Sequence, residues 1–182
     1  SKQRRALLKV SLSGSGASSG GSCSAYTQSG GEATSTGESF CASNTDESAI
    51  KVTDSGIFTV AGAEIETSGE TSSPDDSSFY GLNAGVLATS GSTLDLSSST
   101  VSTSGEGANG VFATGAGTTI TLTDITINCT GRLGHGVDAT VAGKLILDHV
   151  NITTSGANGA AIATDRGSGT IDVSGGTMQT SG

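Results

Sequence analysis

Residues 110–131 read GVFATGAGTTITLTDITINCTG, and the same pattern returns in residues 136–156 as GVDATVAGKLILDHVNITTSG. Upstream it occurs as GVLATSGSTLDLSSSTVSTSG in 85–105 and AIKVTDSGIFTVAGAEIETSG in 49–69. A looser copy, AAIATDRGSGTIDVSGGTMQTSG, occupies 160–182. Apart from one insertion, the rows recur at about 25 residues, and each holds three short alternating stretches separated by Gly- or Ser-bearing turns.

Stacking the rows produces columns. Phe58, Leu94, Ile120, Leu145 and Ile171 form one, and Val60, Leu96, Leu122, Leu147 and Val173 a second. Ile65, Val101, Ile127, Ile152 and Met178 form a third. The first stretch supplies Ile50, Val86, Val111, Val137 and Ala161, with Val52, Ala88, Ala113, Ala139 and Ala163 two places on. A spacing of two is strand periodicity, with alternate side chains facing inward. The expected fold is all-β: a single-stranded, right-handed parallel β-helix, or β-solenoid, with three short strands per coil. Residues 49–182 would make about five coils, with a loop insertion at 70–84. Residues 1–48 read as an N-terminal segment, an irregular cap or partial coil with a Ser/Gly-rich stretch.

Composition fits this reading. The 182 residues include 29 Gly, one Pro and no Trp; hydrophobic residues are 33% and aromatics 3%. Such a mixture signals either disorder or stacked coils that bury small residues in narrow columns, and the periodicity selects the second. The formal net charge is -9. Four of the eight basic residues, Lys2, Arg4, Arg5 and Lys9, crowd the N-terminus, leaving four against 17 acidic residues elsewhere. An acidic body without aromatic platforms is a poor nucleic-acid binder. No apolar run has the length of a membrane span. Cys23 and Cys41 are candidates for a disulfide, whereas Cys129 falls inside a repeat.

The stretches SSFYGLNAGVLATSGS, GANGVFATGAGTTITL, GHGVDAT and GAAIATDRGSGT resemble those of secreted, adhesin-like right-handed β-helix proteins of the pectate-lyase-like fold group, most of them without assigned activity. The resemblance covers residues 25–182 and rests on coil and turn motifs. It implies a secreted, possible cell-surface protein and, since such helices run on for further coils, a processed or partial product; the initial Ser1 agrees.

The fold group raises polysaccharide cleavage, for which Asp124, Asp148 and His149 are the nearest acid/base or metal cluster; the plainer reading is a solvated acidic face. His135 reads as a variant in a column of turn asparagines with Asn109 and Asn158. Asn128 and Asn151 stand in glycosylation sequons, a weak signal in a chain so rich in Ser and Thr, and face outward on the third strand. Thr53, Thr89, Thr114, Thr140 and Thr164 form a column, but without the second Thr column that an ice-binding face needs. Leu87, Phe112 and Ile162 form an outward apolar stripe, interrupted by Asp138, that calls for a cover: the N-terminal segment or another chain. The insertion, with Phe79 and Tyr80 as anchors, reads as a loop over one flank.

The expected role is therefore an extracellular structural or interaction protein: a surface adhesin or a subunit of a head-to-tail filament. In the filament, Lys2, Arg4, Arg5, Leu7, Leu8 and Lys9 of one copy would pack on the last coil of the next. Carbohydrate binding or cleavage is the alternative and ice binding a third; the ligand would be a cell surface or polysaccharide. No enzymatic activity, cofactor or resident metal is expected.

Overall fold

The computed structural model describes residues 9–13 and 23–182. It is a parallel β-solenoid of about 6 turns and about 26 residues per coil. Face one stacks β2 (Tyr26–Ser29), β5 (Ile50–Thr53), β8 (Val86–Ala88), β11 (Val111–Thr114), β14 (Val137–Thr140) and β16 (Ile162–Ala163). Face two stacks β1 (Lys9–Ser13), β3 (Glu32–Thr36), β6 (Ile57–Ala61), β9 (Thr93–Ser97) and β12 (Thr119–Thr123). Face three stacks β4 (Ser39–Ala42), β7 (Glu64–Thr67), β10 (Thr100–Thr103) and β13 (Thr126–Cys129). In the last two coils, β15 (Lys144–Thr154) and β17 (Thr170–Thr180) run unbroken around the corner and serve both faces.

The expected columns are the core as far as Leu145, Leu147 and Ile152, while in the final coil Ile171 is half-buried and Val173 and Met178 are exposed. Phe58, Leu94, Ile120 and Leu145 are fully buried, as are Ile65, Val101 and Ile127 in the neighbouring column. The coil before Ala49, read from sequence as a cap or partial coil, carries β2, β3 and β4 in register with β5, β6 and β7. Its interior is filled by Tyr26, Phe40 and Phe58, whose ring centroids lie 4.8–6.2 Å apart beside the small Ala33 and Ala42. Cys23 and Cys41 are joined by a disulfide. Cys129 is a buried free thiol, pushed up to about 11 by desolvation, and so is chemically quiet.

Two corners set the geometry. Between faces two and three, the equivalent residues Gly37, Gly62, Ser98, Asp124, His149 and Gly175 all have φ between 47° and 70°. After face three, the chain closes at Gly69, Gly105, Gly131, Gly156 and Gly182. A Cβ added at any of them would lie 1.9–2.2 Å from a backbone carbonyl oxygen of the preceding coil. Coils touch backbone to backbone there, and only glycine fits. This is the reason for the recurrent TSG.

Register follows from those glycines. Val111, Val137 and Ile162 each stand six residues past a corner glycine, and Val137 pairs with Ile162. The alignment of Ala161 with Val137 is therefore one residue out: Ala163, not Ile162, stands opposite Asp138. One residue more lies between Ile162 and Thr170 than between Val137 and Lys144, and the turn holding Asp165 absorbs it.

The insertion folds as α1 (Pro74–Tyr80). The Ser73 side chain caps it by accepting from the Asp76 N–H, Pro74 opens the first turn, and Gly81 (φ 70°) ends it. The helix lies on face one. Ala84, Leu87 and Phe112 form a second, separate apolar cluster, and a Cβ on Gly81 would meet the Phe112 ring at 2.6 Å. The protein's own insertion thus covers the stripe that was expected to await another chain or the N-terminal segment. Leu87 and Phe112 are buried and so are covered within the chain, while Ile162, paired with Val137, belongs to the inward column and is exposed.

Gly131→Ala should lower the unfolding free energy by about 3 kcal/mol in urea titrations, since backbone cannot yield to a methyl group as a side chain can. Val141, at φ 50° in the opposite turn, is strained. Val141→Gly should stabilise the protein by up to about 1 kcal/mol in the same assay.

Candidate functional site

The sequence-derived cluster does not form a cleft. Asp124 and His149 occupy the left-handed corner position in successive coils and point into solvent. His149 Nδ1 lies 2.8 Å from Asp148 Oδ1, with both side chains about half or more exposed (68% and 48%). This is a solvated contact between neighbouring side chains at a turn. Thr114 and Thr140 of the proposed Thr column are buried: Thr140 Oγ1 bonds Thr114 Oγ1 at 2.9 Å and donates to the Phe79 carbonyl at 2.8 Å. Thr140 thus helps to seat α1, while Thr53 and Thr89 are half-buried and Thr164 is exposed.

A different cluster gathers on face one, beside α1. A ladder of side chains leads to it. Asn83 Nδ2 donates to the Gly69 and Glu106 carbonyls, and Asn109 Nδ2 to the Ser77 carbonyl of α1. Asn109 Oδ1 accepts from the His135 N–H at 2.8 Å, and His135 Nδ1 accepts from the Ala160 N–H at 3.0 Å. His135 is thus a ladder member as expected, but Asn158 is not. It sits at the left-handed position equivalent to Gly107 and Leu133, with φ 62°.

With Nδ1 accepting, the neutral ring carries its hydrogen on Nε2, which faces Asp165 Oδ2 at 3.8 Å. Asp138 completes the group: ligand atoms of His135, Asp138 and Asp165 all lie within 4.8 Å of one another. Asp138 projects outward from β14 in the column of Leu87 and Phe112, and it is 0% exposed with neither carboxylate oxygen hydrogen-bonded. Desolvation, reinforced by the Asp165 charge, pushes its carboxyl up to about 7. The backbone N–H groups of Ala139 and Asp165 pull the other way, without reaching hydrogen-bond geometry. Burial also holds the His135 imidazole below its usual range, partly offset by Asp165. Chemically, the set can share a proton or accept a cation. Sequence reasoning took Asp138 as a mere interruption of an apolar stripe; a charge in a column otherwise Leu and Phe was the available signal.

Face three offers a second surface. Its outward columns in the last four coils are Thr100, Thr126, Asn151 and Thr177, then Ser102, Asn128, Thr153 and Gln179. The turn position beside them adds Ser104, Thr130, Ser155 and Ser181. None carries a charge, and all but half-buried Ser102 are exposed. A groove of about 460 Å³ runs along it, lined by Ser43, Ser68, Ser104 and Thr130, with Glu66 and the disulfide toward one end. The two sequon asparagines, Asn128 and Asn151, both stand exposed in this array. Lys2, Arg4, Arg5, Leu7 and Leu8 lie outside the described residues. Lys9 opens β1, which pairs in parallel with β3 of its own chain.

No family model, curated protein or solved structure matches the chain. No helix among the described residues is long and apolar enough to cross a membrane.

Ionising Asp138 costs the folded state. Its folded value lies above the ordinary carboxyl value of about 3.9, so the penalty is absent below about pH 4 and grows as pH rises toward 7. The neutral His135 ring acts in the opposite sense: the stability it contributes is present above about pH 6.5 and is lost as pH falls from there through its lower folded value. Asp138→Asn should therefore raise stability by on the order of 3 kcal/mol at pH 8 and by little at pH 4, measured by urea unfolding with a chelator present.

Proposed function

We propose that this chain is an extracellular recognition solenoid of the adhesin type that presents face three to an uncharged, extended polysaccharide. The observation that carries this reading is the array on face three: three adjacent columns of hydroxyl and amide side chains through four successive coils, with no charge among them.

The chemistry suits that ligand. Neighbours along a column stand one strand spacing apart, about 4.8 Å, and residues two apart on a strand about 7 Å. Such a lattice repeats its donors and acceptors in step with a linear chain of hydroxylated units. The rigid parallel ladder holds them in place before binding, which reduces the ordering cost of association. The acidic character of the whole chain disfavours anionic polymers by repulsion. The Cys23–Cys41 disulfide suits an oxidising, secretory compartment. Glycans on Asn128 or Asn151 would cover the array, so both asparagines must be bare in the active protein.

Face two is a weaker candidate. The equivalent outward column there reads Thr34, Thr59, Asp95, Thr121, Ile146 and Asp172, and Lys144 bridges to Asp172 at 2.9 Å. Charges and an apolar residue break the regularity that face three keeps.

Sedimentation with insoluble neutral glycans and with acidic ones tests the reading. Wild type should co-sediment with at least one neutral polymer, and Thr126→Glu with Asn128→Asp should weaken that binding at least tenfold. Thr121→Glu on face two should not. Equal binding by the face-three variant, or preference for acidic polymers, would refute it. Thermal hysteresis without glycan binding would favour ordering of water. Long fibres that vanish on deleting residues 1–12 would favour the filament role.

A further inference from the structure

We propose that His135, Asp138 and Asp165 bind a divalent transition-metal cation, of which Zn²⁺ is the type, at the outer flank of face one beside α1. The inference is independent of what face three binds.

Proximity alone would not carry it, because exposed carboxylates gather on many acidic surfaces. The distinguishing observation is Asp138: fully buried, both oxygens without a hydrogen-bond partner, and its ligand atom within 4.8 Å of those of His135 and Asp165. A carboxylate buried without a partner is costly, and the fold keeps this one on a strand packed between two others. A bound cation supplies the missing partner.

The donor set selects the class of ion. Imidazole nitrogen and carboxylate oxygen are both ligands that Zn²⁺ takes, and one of the first with two of the second leaves a fourth position to water on the side of exposed Asp165. Ca²⁺ asks for six to eight oxygen ligands, more than two carboxylates provide. Supports are in place as well: the His135 backbone is held by Asn109, and Asp138 stands in the column of Phe112 on β14.

Without metal, the Ala160 N–H on Nδ1 places the ring hydrogen on Nε2, toward the carboxylates. Proton and cation thus compete for one seat. On binding, Nε2 gives up its hydrogen and the neutral ring carries one on Nδ1 instead. The half-buried Ala160 amide then exchanges its ring partner for water. Any proton held by the Asp138 carboxyl is released.

The full chain, stripped with chelator and dialysed, should be titrated with ZnCl₂ by calorimetry and followed by thermal unfolding. One Zn²⁺ per chain should bind with a Kd below about 10 µM, and Tm should rise until one equivalent is added. Asp138→Asn, Asp165→Asn and His135→Asn should each weaken binding at least about tenfold. Circular dichroism should show all three folded; His135→Asn installs the residue that the preceding coil carries at Asn109. His149→Gln, at the exposed corner, should bind as wild type does. The proposal fails if wild type shows no saturable binding up to about 100 µM Zn²⁺, if the Asp138 and His135 variants bind normally, or if His149→Gln abolishes binding. Tighter binding of Ca²⁺ than of Zn²⁺ would overturn the class of ion.

Discussion

Contact between backbones at the corner after face three governs this molecule. Gly69, Gly105, Gly131, Gly156 and Gly182 stack so closely that a single methyl group would overlap the preceding coil. Every coil is pinned at the same point of its circuit. Because strand side chains alternate, that pin decides which residues face inward and which outward on the strands that follow. Apolar columns fill the interior, polar columns coat the exterior, and left-handed backbone falls in the turns between the faces. A one-residue shift would move a whole strand's apolar set into water.

The insertion shows what that regularity cannot do alone. Holding the register leaves Leu87, Phe112 and Asp138 outward on one column of face one. The first two are an apolar patch that α1 covers, tied down by Ser77 to Asn83 and Asn109 and by the Phe79 carbonyl to Thr140. Arg166 lies over the Phe79 ring at 5.1 Å and holds the same edge. Asp138, next in the column, is fully buried as well, and the turn with the additional residue sets Asp165 beside it. A buried carboxyl, a committed imidazole and an exposed carboxylate meet at the flank of this face.

The three faces consequently divide the chemistry. Face one is a packing surface with one polar cluster at its flank. Face two is charged and irregular on its outer side, whereas face three is uncharged and repetitive over four coils. The proposed binding of a neutral polymer rests on that repetition, which would offer many weak contacts together.

The sequence by itself determined the solenoid, because the core is made by local periodicity: the columns through Phe58, Leu94 and Ile120 were legible from spacing alone. It also named His135 as a ladder residue, since turn residues carry their own signature. It misjudged the last coil by one residue, because similarity of AIAT to VDAT outweighed counting from the corner glycine. It passed over Asp138 as an interruption, whereas its plainer reading of Asp124, Asp148 and His149 as a solvated face agrees with the exposure of Asp124 and His149. Only the tertiary structure decided what covers face one and which charges meet there. Periodicity records where a side chain points relative to its own strand. It holds no information about an aperiodic insertion, and the cover over Leu87 and Phe112 depends on how that segment folds back over their column.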